Sequence, residues 1–229
     1  MKVRPVVYFL NGLIIFALLG SEFPLLFVTR IADCRPASQV FSWPINWYGA
    51  VAHWTVTIAV WATGVFLFAL WAKRRGVISD LVHFELDRKG KLVLIAGAAS
   101  AALYSLTWST VAGQTIPQVY REYLGFQSMY GSNALIVTVF QNIYYAVEFL
   151  LVFAMIAFFQ KAGEMWSKAE HVPWGSLGLM LTWGAVHFAT NPAGALGVML
   201  WSLIPGVIYV VGDKGFAPVY LALVLGFLI

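Results

Sequence analysis

The 229 residues are 61% hydrophobic and only 10% charged, with a mean hydropathy of +0.80, whereas a soluble globular domain carries roughly 25% charge. A membrane helix with its loop uses roughly 30 residues, so about seven crossings exhaust the chain and leave no room for a sizeable soluble catalytic domain. The formal charge of +4 does not signal nucleic acid, because the basic residues gather at the ends of apolar runs without interleaved aromatics, and the lone Cys34 excludes an intrachain disulfide or a paired-thiol redox centre.

The chain opens on a basic stretch, Met1 to Arg4, followed by an apolar run at 6–28. No small-x-small cleavage site precedes Glu22, so this run reads as a retained first helix rather than a signal peptide. Further apolar runs at 48–72, 92–113, 132–160, 174–191, 194–211 and 215–229 have the composition of bilayer-crossing helices. Polar breaks at 30–42, 73–91, 114–131 and 161–173 separate them, with tight turns at Asn191-Pro192 and Gly212-Asp213-Lys214-Gly215. The expected fold is all-α: one polytopic integral membrane bundle of about seven transmembrane helices over 1–229.

Cytoplasmic loops are enriched in Lys and Arg, which orients such a bundle. With the N-terminus inside, Lys2, Arg4, Lys73, Arg74, Arg75, Arg88, Lys89, Lys91, Lys161, Lys168 and Lys214 are cytoplasmic, and only Arg30, Arg35 and Arg121 are external. The predicted location is the cell membrane with a cytoplasmic N-terminus. Trp43, Trp47 and Trp54 near one end of the second run, and Trp71 at the other, have the spacing of interfacial anchors.

Ionisable groups within a bilayer are costly and therefore mark functional sites. Glu148 is the one acidic residue deep in a predicted span, and His53 and His187 are the histidines within spans. At a rise of about 1.5 Å per residue, Glu148 and His187 both lie roughly 18–20 Å from the inner edge, while His53 lies roughly 28 Å up, near the outer interface. Gln141, Tyr144 and Tyr145 precede Glu148 at helical spacing and form a polar stripe with it, the wall of a polar cavity or a structural hydrogen-bonding node. A carboxylate and an imidazole at one depth are the minimum set for activating water. No HExxH motif or third ordinary ligand accompanies them, and His53 and His187 differ by about 8 Å in depth, so neither a metal nor a haem or other cofactor is expected.

From His187-Phe188 through Leu203-Ile204-Pro205-Gly206 to Phe216-Ala217-Pro218-Val219 the sequence resembles the C-terminal half of the CAAX protease and bacteriocin-processing family, with a core at about 132–229. That family carries EExxxR, then FxxxH, then HxxxN or a variant, on successive membrane helices. Here the first motif survives as Glu148, the second reads Trp183 to His187, and the third is replaced by Ala222 and Gly226. The resemblance implies a membrane-embedded glutamate-dependent protease fold in which Glu148 and His187 are the candidate catalytic pair. Loss of the third motif removes groups that stabilise the oxyanion, and one such donor is worth roughly 100- to 1000-fold in rate. The leading expectation is therefore a noncatalytic binding or assembly subunit in the membrane. The alternatives are an intramembrane hydrolase using Glu148 and His187, and a lipid- or haem-binding protein. The expected partners are membrane lipids, other membrane subunits, or a membrane-bound peptide or lipid substrate, and not nucleic acid.

Overall fold

The computed structural model describes residues 3–32, 34, 46–111, 117–190 and 192–228, and the backbone described there is helical apart from turns and an isolated bridge. The expected Asn191-Pro192 turn and the belt residue Trp43 fall at or beside positions outside the described residues.

The first apolar run does not remain one helix. Helix α1 (Pro5–Leu19) starts on proline, whose missing N–H would have no partner in a first turn anyway. The chain turns at Gly20-Ser21, a pair with weak helix propensity, and restarts as α2 (Glu22–Ala32), with the Glu22 carboxylate in its first turn where the helix dipole favours an anion. Helix α3 (Trp47–Arg75) ends on Lys73-Arg74-Arg75, and Gly76 closes it at φ 66°, a left-handed conformation that glycine adopts without a Cβ clash. The short α4 (Ile78–Leu81) leads to α5 (Arg88–Val111).

Helix α6 (Gln118–Tyr130) stands where the sequence reads a polar loop at 114–131. Its Gln, Arg and Glu residues obscure an apolar edge, and the buried Phe126 packs at 5.7 Å from the Trp54 ring. Trp54 is therefore a core residue, 2% exposed, and not the interfacial anchor expected. Helix α7 (Ala134–Ser167) follows; after it come α8 (Trp174–Leu179), a π-helical turn at Met180–Gly184, α9 (Ala185–Thr190), α10 (Pro192–Trp201), α11 (Leu203–Val211) and α12 (Phe216–Leu228).

Among the described residues, five helical runs are long and apolar enough to cross a membrane: Pro5–Ile31, Trp47–Arg75, Arg88–Val111, Gln118–Ser167 and Gly194–Val211. Phe216–Gly226 is a shorter apolar helix, and the 174–191 run is not among the five. By the length and composition of these helices the chain is a helical membrane protein. Large apolar side chains on α5, including Leu92, Ile95 and Leu103, are exposed, as lipid-facing positions are.

Helix α7 is the core. Helices α1, α3, α6 and α8 pack on it, while α12 packs along α5. Leu151, Val152, Met155 and Ile156 have no exposed surface, so the middle of α7 is enclosed on all sides. Polar bonds fasten one end of the bundle. Lys214 reaches Glu164 at 2.9 Å, Lys161 reaches Asp80 at 3.7 Å, and Lys89 reaches Asp213 at 2.5 Å. The His83 amide donates to the Lys214 carbonyl and the Phe216 amide to the His83 carbonyl, forming a bridge between His83 and Gly215. The basic breaks at 73–91, 161–173 and 212–215 thus gather at one end.

Candidate functional site

The positions that carry polar chemistry converge on a cavity of about 1080 Å³, at the upper limit of the size of ligand sites. Its wall is assembled from α1, α2, α3, α5, α6, α7, the π turn, α9, α10 and α12. Glu148 and His187 both line it, as do Tyr144 and Tyr145. Gln141 does not; it is buried one turn behind and donates from Nε2 to the Tyr145 hydroxyl at 2.7 Å.

Glu148 and His187 meet through Trp183. The Trp183 indole N–H donates to Glu148 Oε1 at 2.9 Å, its carbonyl lies 2.7 Å from His187 Nδ1, and its ring sits 4.6 Å from the imidazole. Trp183 belongs to the π turn, the kind of local distortion that recurs at functional sites because it re-aims side chains along a helix. Holding Nδ1 against a carbonyl makes it the protonated nitrogen of a neutral ring and leaves Nε2 as an acceptor. Among the described residues, Glu148 Oε2 and His187 Nε2 have no hydrogen-bond partner. The carboxylate and the imidazole do not bond to each other; the indole lies between them.

Sequence reasoning missed a second carboxylate centre on the same cavity. Glu22, the first residue of the restarted α2, accepts from the Tyr144 hydroxyl at 2.9 Å on Oε2, and His53 Nε2 lies 3.3 Å from Oε1. His53 is 1% exposed, so it is a buried partner of Glu22 and not an interfacial aromatic. Tyr144 lies in the polar stripe expected beside Glu148, and its hydroxyl bonds to Glu22 rather than to Glu148. Tyr145 donates to Glu122 Oε1 at 3.1 Å, and Gln118 donates to the same oxygen at 3.0 Å. The signal available for Glu22 was its position: it lies inside the 6–28 apolar run, right after Gly20-Ser21, where a helix break turns a side chain inward.

The third-motif positions offer no polar side chain. Ala222 is 1% exposed, and at Gly226 an added Cβ would stand 2.7 Å from Ala101 Cβ and 3.3 Å from the Trp201 indole nitrogen. Trp201, 6.0 Å from the Trp183 ring, lines the cavity there, and its N–H has no acceptor among the described residues. No group of three or more His, Cys, Asp or Glu side chains among the described residues is arranged to hold a metal ion.

No family model matches the chain, and no curated protein or solved structure matches it.

Proposed function

We propose that this chain is a polytopic protein of the cell membrane, N-terminus cytoplasmic and with about seven crossings, whose C-terminal part is CAAX-protease-like and whose role is noncatalytic binding or assembly. Its cavity holds part of a membrane-borne ligand. The observation that carries this reading is the pairing of a roomy, aromatic-walled cavity with an incomplete catalytic set: Glu148 and His187 face it, while Ala222 and Gly226 supply no oxyanion donor. The basic breaks gathered at one end support the orientation, since all of them are then cytoplasmic.

A hydrolytic reading has one observation in its favour. Trp183 holds the Glu148 carboxylate and the His187 imidazole on one cavity, with an open oxygen and an open nitrogen, and the Trp201 N–H is a donor on the same wall. Water activated by Glu148 would attack a carbonyl held by that donor.

Native mass spectrometry of the purified chain, with a cleavage assay on a prenylated CAAX-type peptide, separates the readings. The binding reading expects ligand to co-purify with the wild type and with His187→Ala, to be lost when Ser109→Trp fills the cavity, and no turnover. Cleavage by the wild type, abolished by both Glu148→Gln and His187→Ala, would instead establish the hydrolase, since a general base and its partner act as a unit.

A further inference from the structure

The cavity wall also states what kind of ligand it takes. Glu148 Oε2 is an open acceptor among apolar helices, and a carboxylate in that setting is costly unless a counter-charge meets it. Glu22 lines the same cavity, but its oxygens already take Tyr144 and His53, so it adds negative field without offering a contact. Arg121 is the basic side chain on the wall, carried on α6 next to Glu122, and Glu22 and Glu148 together outnumber it.

Around the open oxygen the wall is aromatic. Trp61 and Tyr144 stand 4.8 Å apart, and Trp183 and Trp201 stand 6.0 Å apart, with all four rings on the cavity. Ring faces attract a nearby cation, most strongly one already stripped of water. Trp201, only 7% exposed, adds an indole N–H without an acceptor, which takes an oxygen carried on the ligand body.

We propose that this cavity binds a lipophilic organic cation, an ammonium or phosphonium group on an apolar body, with Glu148 as its counter-charge. The proposal rests on the binding reading above and names the ligand class of that site. A metal ion is the poorer match, because no three ligating side chains converge among the described residues, while a diffuse organic charge needs only one carboxylate and several rings. An anion meets Glu22 and Glu148 on the wall and is repelled. The volume of about 1080 Å³ suits a body of tens of atoms rather than a bare ion.

The test is titration of the purified chain in maltoside micelles with tetraphenylphosphonium and with its anionic isostere tetraphenylborate, read by tryptophan fluorescence and calorimetry. Saturable one-site binding of the cation but not the anion is expected, weakened at least tenfold, about 1.4 kcal/mol, in Glu148→Gln. If that variant fails to fold, the cation-to-anion comparison on the wild type decides alone. Equal binding of both ions overturns the cation assignment and leaves the binding reading standing. Saturable binding of neither overturns it as well, and ligand retention by native mass spectrometry then judges the binding reading separately. Where the cation binds, its displacement by lysophosphatidylcholine but not by lysophosphatidylglycerol identifies a lipid headgroup as the source, and displacement by neither identifies a free cation; both results support the assignment.

Discussion

Removing the Gln160 side chain should unfasten the C-terminal end of α7 from the segment leading into α8. Gln160 has no exposed surface, and its amide is fully used: Nε2 donates to the Val172 carbonyl at 2.8 Å and to Glu164 Oε1 at 3.1 Å, while Oε1 accepts from the Gly175 amide at 2.9 Å. Gln160→Ala leaves the Gly175 N–H without its acceptor, a buried orphan that costs about 1–3 kcal/mol, and empties side-chain volume in the core, while the Val172 carbonyl keeps the Trp174 amide as a donor. Glu164 also loses a donor, though Lys214 still reaches it at 2.9 Å. A loss of about 3 kcal/mol is expected. For a chain of this length each kcal/mol moves Tm by about 2–4 °C, so the variant should melt about 6–12 °C lower in maltoside micelles, followed by tryptophan fluorescence or by size-exclusion recovery after heating. Gln160→Glu, which keeps the acceptor for Gly175 but loses the donor and crowds Glu164 with a second carboxylate, should also be destabilised. A Tm drop of less than about 2 °C for Gln160→Ala would refute the view that this amide ties the two segments.

Gly206→Ala should destabilise by about 1–3 kcal/mol, because a Cβ there would lie 2.6 Å from the Ser176 backbone nitrogen; Gly125→Ala, with nothing within 4 Å, should be neutral or stabilising, and equal melting of the two would reject close packing of α11 on α8. Tyr144→Phe should cost about 1–2 kcal/mol by stripping a donor from Glu22 Oε2, and a double-mutant cycle with Glu22→Gln should show coupling between the two. Lys89→Ala should shift stability by less than about 1 kcal/mol, since its pair with Asp213 is solvent-exposed; a larger loss at high salt would contradict that. In a Cys34→Ser background, a membrane-impermeant thiol reagent on intact cells should modify a cysteine at Ser128 and spare one at Arg88, and the reverse pattern would invert the orientation.

The helical character and the membrane setting were legible because apolar run length is a strong signal that few residues interrupt. Glu148 and His187 were legible for the same reason: an ionisable group stands out against Leu, Val and Phe, and two of them at matched depth invite a shared site. Glu22 was not, because the 6–28 run is long enough to read as one continuous span, which hides Gly20-Ser21, Glu22 and Pro24 as a break within it. Helix α6 was hidden by composition: Gln118, Arg121, Glu122 and Gln127 read as loop, yet the first and third of them are polar because they hydrogen-bond inside the bundle. Trp183 was read as the aromatic of a motif, and its indole N–H as a donor joining Glu148 to His187 has no signature in spacing, since the π turn that aims it is a three-dimensional feature.

The backbone bridge between His83 and Gly215 changes how the cavity can breathe. With the loop before α5 stitched to the loop before α12, and Glu164, Lys214, Lys89 and Asp213 reinforcing the seam, these helices are hinged at one end like the arms of a clothes peg. Toward the opposite end, beside the cavity, no such backbone bridge is seen among the described residues; the Ser105 hydroxyl donates to the Gly226 carbonyl and Gly226 packs closely on Ala101. Hydrogen exchange should find the His83 and Phe216 amides the slow ones while the far ends of α5 and α12 exchange first.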